Sequence, residues 1–140
     1  MNGKFFLDTN IFVYSLDKHA PAKQKLATQL IREGIASGKG IVSYQVVQEF
    51  FNVALRGFAH VMRVAEAEQY LGTIFRPMLS VQSSPALIAE ALRLHERYRF
   101  AWYDSLIVAA AMEAGCGILY SEDLRHEQTL GELRIENPFP

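Results

Sequence analysis

Leu106 to Met112 is an unbroken run of seven apolar residues, set in a segment from Tyr103 to Ala114 that reads as a helix. A helix with no polar face must be buried on every side, so the rest of the chain has to be built around it. Seven residues are far short of the roughly 20 that span a bilayer, so burial means burial in protein. Half of the 140 residues are hydrophobic and 21% are charged, which excludes a disordered chain and lets one domain, residues 1–140, supply the covering core.

The covering elements alternate. Phe5-Phe6-Leu7 is a short apolar strand ending on Asp8, and Asp8-Thr9-Asn10 reads as a turn that starts a helix. Leu26, Leu30 and Ile31 recur at helical spacing in a helix from Ala22 to Ala36, which Gly34 weakens and Gly38-Lys39-Gly40 ends. Ile41-Val42 is a second strand, and Ser43 is placed to cap a helix from Tyr44 to Arg56 that Gly57 stops. A further helix is expected from Val61 to Ile74, and a loop or short strand over Arg76 to Ser83. Ser84-Pro85 is a cap and first-turn proline opening a helix to Tyr98. After the buried helix come strands at Ile118 to Tyr120 and at Leu133 to Ile135. Strands alternating with helices imply an α/β fold whose mostly parallel sheet is covered on both faces. The functional edge of such a sheet lies beyond the carboxyl ends of its strands.

Four acids fall at or near that edge. Asp8 directly follows the first strand, where the plain alternative is a helix cap. Asp123 follows the strand ending at Tyr120, in a turn with Glu122. Glu49 lies about 40° from Val53 and about 60° from Val46 on a helical wheel, at the border of the apolar stripe. Asp104 opens the buried helix on the same stripe as Val108 and Ala111, and the plain alternative is again a cap. Asp17 reads as the end of the first short helix. Four carboxylates converging at about 5 Å repel by roughly 3 kcal/mol per pair at an effective dielectric of about 20, so such a cluster needs protons or a cation. Oxygen-only ligands suit Mg²⁺ or Mn²⁺ rather than zinc, and carboxylate-held Mg²⁺ points to hydrolysis of phosphodiesters.

The stretches around these acids resemble the PIN domain, most closely the VapC-type toxins of prokaryotic toxin–antitoxin pairs. The resemblance rests on Phe6-Leu7-Asp8-Thr9-Asn10, on Ser43 to Phe50, on Tyr103 to Ala111 and on Leu119-Tyr120-Ser121-Glu122-Asp123-Leu124, in that order along nearly the whole chain. Serine stands at position 121 where many relatives carry threonine; both supply a hydroxyl. The resemblance implies a three-layer α/β/α sandwich with a short, mostly parallel central sheet. It implies a Mg²⁺- or Mn²⁺-dependent endoribonuclease, with Asp8, Glu49, Asp104 and Asp123 as catalytic metal ligands and water as nucleophile. Thr9, Asn10 and Ser121 would support the cluster by hydrogen bonds, and Glu122 is a further candidate ligand. It also implies an RNA substrate, an antitoxin partner and a homodimer. The alternative reading is a non-catalytic PIN-like RNA-binding or scaffold module, and DNA cleavage is a rival within the enzyme class.

Charge and motif content trim the other possibilities. The net charge is −1, with 14 basic and 15 acidic residues, which argues against a strongly basic nucleic-acid binder. All five lysines lie before residue 40. A phosphorelay receiver or a haloacid dehalogenase-type phosphatase needs a later lysine, and the latter also needs an acid where Asn10 stands. Neither a G-x-x-x-x-G-K-[ST] loop nor a G-x-S-x-G elbow occurs. Asp8 interrupts the N-terminal apolar stretch, leaving no signal-peptide core, and Cys116 alone forms no internal disulfide; a cytoplasmic protein without a membrane segment is expected. Several residues carry two readings. Trp102 and Tyr103 belong to the core by default, or stack on a base beside the site. Arg93, Arg97 and Arg99 hold phosphates or form a solvated face with Glu90 and Glu96. Phe50, Phe51, Phe58 and the Tyr70–Phe75 region form core, or a groove for a partner helix or dimer seam. The four histidines, His19, His60, His95 and His126, lack ligand spacing, and Cys116 reads as a small buried residue.

Overall fold

The structure is a computed structural model and describes residues 3–57 and 62–140; the expectations at Phe58, His60 and Val61 lie outside the described residues. Its elements are β1 (Phe5–Leu7), α1 (Thr9–Ser15), α2 (Pro21–Ser37), β2 (Gly40–Ser43), α3 (Tyr44–Ala54), α4 (Val64–Tyr70), β3 (Leu79–Val81), α5 (Pro85–Tyr98), α6 (Trp102–Glu113), β4 (Ile118–Tyr120), β5 (Thr129–Leu130) and β6 (Leu133–Glu136). The described strands form one six-stranded sheet in the order β3-β2-β1-β4-β6-β5. Every pairing is parallel except the small β5–β6 hairpin.

The strand order explains the layers. The chain steps from β1 to β2 to β3 in one direction, then returns across the sheet to β4. Parallel crossovers are right-handed, so the helices of the outward steps and those of the return step cover opposite faces. The packing agrees: α1 packs on α2 and α3, while α5 and α6 pack on each other. The sheet centre is dry, with Phe6, Leu7, Leu119 and Ile135 fully buried. Ile107 to Ala111 of α6 are buried as their composition requires. No helix among the described residues is long and apolar enough to cross a membrane.

Helix α4 departs from the sequence reading. The helix expected to run to Ile74 stays α-helical only over Val64–Tyr70 and continues as a π-helical turn, Leu71–Phe75. That turn brings Phe75 under Phe50, with ring centroids 5.2 Å apart, and Tyr70 stacks on Phe50 at 4.9 Å. Phe50 and Phe75 are therefore core, while Phe51 and Tyr70 are partly buried at its margin. Gly34 lies inside α2, where a side chain has no room. A Cβ on Gly34 would stand 3.0 Å from the Gly40 Cα, and one on Gly40 would stand 2.5 Å from the Gly34 Cα. This glycine pair lets α2 lie directly on β2. Gly38, at φ 73°, then terminates the helix as expected.

Candidate metal centre

The switch in strand order falls between β1 and β4, where neighbouring strands send their chains to opposite faces. A crevice opens beyond the strand ends at such a point. Asp8 leaves β1 there and Asp123 lies three residues beyond β4. The Asp8 N–H donates to the Tyr120 carbonyl oxygen at 3.1 Å, which holds the two strand ends together. Asp8, Glu49, Asp104 and Asp123 border one cavity of about 260 Å³, and among the described residues no lysine, arginine or histidine lines it.

The supporting residues hold these acids from within the site. Asp8 is buried, and its Oδ1 accepts the Thr9 N–H at 2.7 Å, so it caps α1 and borders the cavity at once. Its Oδ2 accepts the hydroxyl of Ser121 at 2.8 Å, and Ser121 is itself fully buried. The Thr9 hydroxyl donates to Glu49 Oε1 at 3.0 Å. The Asn10 amide donates to Asp123 Oδ2 at 2.9 Å. The side chains of Thr9, Asn10 and Ser121 thus each engage one carboxylate oxygen, of Glu49, Asp123 and Asp8 respectively. Among the described residues, however, no group of three or more His, Cys, Asp or Glu side chains is gathered closely enough to hold an ion as it stands.

Asp104 is not a cap. Helix α6 begins at Trp102 with Ala101 at its N-cap, and no side chain caps it. Asp104 therefore sits in the first turn, where the helix dipole favours a carboxylate. Burial, and then the charge of Asp123, nevertheless push its carboxyl above the usual range. Asp8 is moved further, from 3.8 up to about 6. Burial is the main cause; the Thr9 and Ser121 hydrogen bonds oppose it, and the charges of Glu49 and Asp123 add to it.

Glu122 faces elsewhere. Its carboxylate pairs with the Lys23 ammonium at 2.6 Å and accepts the Tyr14 hydroxyl at 2.7 Å. These contacts hold its carboxyl below the ordinary value despite partial desolvation. Lys23 also lies over the Tyr14 ring, 4.4 Å from the centroid. Asp17 lies beyond the end of α1, where it accepts the His19 N–H at 2.9 Å. Arg93 pairs with Glu90 at 2.7 Å and Arg97 lies over Tyr98, so this helix face is solvated. His19, His95 and His126 are exposed and Cys116 is buried. Tyr103 contradicts the core expectation: it is 65% exposed and lines the acidic cavity, while Trp102 is half-buried.

One lining residue and one tie between helices escaped the sequence reading. Asn52 borders the cavity one helical turn after Glu49, and the i, i+3 spacing on an assigned helix is the signal that points to it. The carbonyl oxygen of Tyr103 accepts from the Gln45 amide at 3.2 Å, which ties α3 to the start of α6 and has no local sequence signature.

Known structures with this arrangement share little sequence with it. The chain is similar to the toxin VapC20 from Mycobacterium tuberculosis, a sarcin-ricin loop cleaving toxin, with a TM-score of 0.60 and 17% identity over 86% of this chain and 90% of that one. A toxin–antitoxin complex from Klebsiella pneumoniae matches with a TM-score of 0.69 and 15% identity over 97% of this chain and 98% of that one. VapBC2 from Rickettsia felis, bound to a DNA fragment from its promoter, matches at 0.64 and 16% over 95% and 97%. At these identities the likeness is one of fold. No curated protein sequence matches the chain. The sequence itself matches the PIN domain family over residues 5–130. With the sheet order, the four acidic positions and that match in hand, the chain belongs to the PIN domain family, a family of nucleases, and its structural neighbours are VapC toxins of VapBC toxin–antitoxin systems.

Proposed function

We propose that this chain is a metal-dependent endoribonuclease and the toxin of a VapBC-like pair. The observation that carries the proposal is one cavity bordered by four carboxylates from four separate segments, with no cationic side chain among the described residues of its wall. An oxygen-only donor set of this kind fits Mg²⁺ or Mn²⁺, and a buried Asp8 with its carboxyl raised to about 6 is a group that a cation would relieve. Asp8, Glu49, Asp104 and Asp123 would hold the ion. When bound, it supplies a water of lowered pKa and neutralises charge at the phosphorus.

The chain's own residues do the rest. Ser121 and the Thr9 N–H fix both oxygens of Asp8. Thr9 and Asn10 orient Glu49 and Asp123. The acidic wall repels a phosphodiester until it is neutralised, which makes binding and cutting depend on the same charge. A near-neutral surface gives modest non-specific affinity, so substrate choice rests on RNA shape or a few bases. An antitoxin and a second copy of the chain are the proposed protein partners.

A second reading, a non-catalytic RNA-binding or scaffold module, is favoured by the acids standing apart rather than gathered. Cleavage of a mixed structured-RNA pool with Mg²⁺, with Mn²⁺ and with EDTA, beside the Asp104→Asn protein, decides between them. Cutting that needs the metal and is lost in the variant supports the nuclease. A folded protein that neither cuts nor binds Mn²⁺ supports the module.

A further inference from the structure

A second cavity, of about 240 Å³, opens beside the acidic one where β2, β3 and the starts of α3 and α6 meet. The two share Tyr103. Two pairs of close neighbours in the chain divide between them. On α3, Gln48 lines the second cavity and Glu49 the acidic one. On α6, Trp102 lines the second and Asp104 the acidic one, with Tyr103 between. Neighbouring Cα atoms are about 3.8 Å apart, so a group in the second cavity is next to whatever occupies the first.

The lining has a distinct chemistry. Among the described residues it contains no lysine, arginine, histidine or acid, which disfavours a phosphate, whose contacts are mostly cationic side chains and N–H groups. It offers three carboxamides, Gln45, Gln48 and Gln82, and the rings of Trp102 and Tyr103. Gln45 is committed to the Tyr103 carbonyl oxygen. Gln48 and Gln82 are exposed, and no hydrogen bond among the described residues engages their amides. The floor carries an independent sign. Ser43 lines this cavity and is only 2% exposed, yet its Oγ has no hydrogen-bond partner among the described residues. Ser43 stands at the N-cap of α3 but does not cap it, contrary to the sequence expectation, because it lies at the shift in register between β2 and β3. A buried hydroxyl left unsatisfied is costly, and a ligand with hydrogen-bonding atoms on its rim would satisfy it.

We propose that this cavity takes one unstacked nucleobase of the strand whose phosphodiester enters the acidic site, an inference that rests on the ribonuclease reading above. The size agrees: about 240 Å³ lies just below the roughly 300–1,000 Å³ of sites for drug-sized ligands, room for one small ring system and not for a run of nucleotides. Trp102 and Tyr103 supply stacking surface. Gln48 and Gln82 each present a donor and an acceptor, the pair that reads a base edge.

Trp102 is the only tryptophan in the chain, so its fluorescence reports this cavity. The intact protein in EDTA is titrated with trinucleotide RNAs that carry each of the four bases, or an abasic site, at the centre. All carry the same phosphates, so repulsion from the acids cancels in the comparison. Base-bearing RNAs should bind about tenfold tighter than the abasic one, toward the lower end of what stacking on an aromatic side chain gives. The exposed double variant Gln48→Ala/Gln82→Ala should keep that gap and lose the ranking among the four bases. Equal binding of abasic and base-bearing RNA overturns the proposal and leaves the cavity to a side chain of a protein partner; an unchanged ranking in the double variant overturns it as well. The two readings fail separately. Metal-dependent cutting without base discrimination sinks the pocket alone, whereas base discrimination in a protein that never cuts keeps the pocket and sinks the nuclease.

Discussion

Replacing Asp8 by Asn should stabilise the metal-free protein at neutral pH and leave it unchanged in acid. Asp8 is buried, and its carboxyl is raised from 3.8 to about 6. A raised carboxyl in the folded state means that folding favours the proton. Well below pH 3.8 both folded and unfolded chains carry it, and the site contributes no penalty. As pH rises through the interval, the unfolded chain releases its proton first, so stability falls until the folded group ionises near pH 6. The shift of about 2 units, at about 1.4 kcal/mol per unit, gives a penalty of roughly 3 kcal/mol at pH 7 and above. Asn removes the charge and keeps the shape. Its amide oxygen can still accept the Thr9 N–H, and its amide nitrogen can donate to the Ser121 hydroxyl, which turns from donor to acceptor.

Urea denaturation of wild type and Asp8→Asn in EDTA at pH 4 and pH 7.5 measures the difference, because every other titrating group is common to both proteins. The expected gain is only about 0.5 kcal/mol at pH 4 and up to about 3 kcal/mol at pH 7.5, the latter roughly 10 °C in Tm at this chain length. Added Mg²⁺ should narrow or reverse the order. A ligand at about 100 times its Kd stabilises the folded state by about 2.7 kcal/mol, and only wild type retains the full donor set. An Asn protein no more stable than wild type at pH 7.5 in EDTA, or a gain equally large at pH 4, would refute the reasoning.

Ser121→Ala removes the one hydroxyl that orients Asp8 Oδ2 and should lower Mn²⁺ affinity by about 10–100-fold, the usual effect of losing a group that orients a ligand; calorimetric titration checks it, and Ser121→Thr should restore binding. Glu122→Gln should leave Mn²⁺ affinity unchanged, because that carboxylate is held by Lys23 and Tyr14, whereas Asp123→Asn should weaken it; equal losses in the two titrations would return Glu122 to the ligand set. Gly40→Ala drives a Cβ to 2.5 Å from the Gly34 backbone and should cost at least the roughly 1–3 kcal/mol of ordinary overpacking, read as a lowered urea midpoint with unchanged slope.

What could be read from the sequence is what local pattern controls. Asp8 and Asp123 were legible because each follows a short apolar run, and a strand's end is a local event. Helix α6 was legible because an apolar surface all round has one solution. Ser43, Glu122 and Tyr103 were not, for a shared reason: the partner that decides each one is far along the chain. Glu122 meets Lys23 across 99 residues. Ser43 meets the irregular β2–β3 pairing rather than its own helix. Tyr103 belongs to the most apolar helix, yet α6 starts at the site edge, so its first turn projects into the cavities instead of the core. The Gly34–Gly40 contact is of the same kind, since two glycines six residues apart announce a weak helix end before they announce a helix lying on a strand.

The same distance argument bears on how the site is built. The three supporting hydrogen bonds between side chains join the β1–α1 corner to two other elements: Ser121 and Asp123 beyond β4, and Glu49 on α3. Thr9 and Asn10 are therefore the hub, and the metal-free acids are held in place by residues on one short turn. Mutual repulsion would drive the carboxylates apart, and the two hub side chains oppose that by fixing Glu49 and Asp123 from a common base. The acids thus border one cavity on the hub hydrogen bonds alone, and closing them on a common point is the part left to the proposed cation.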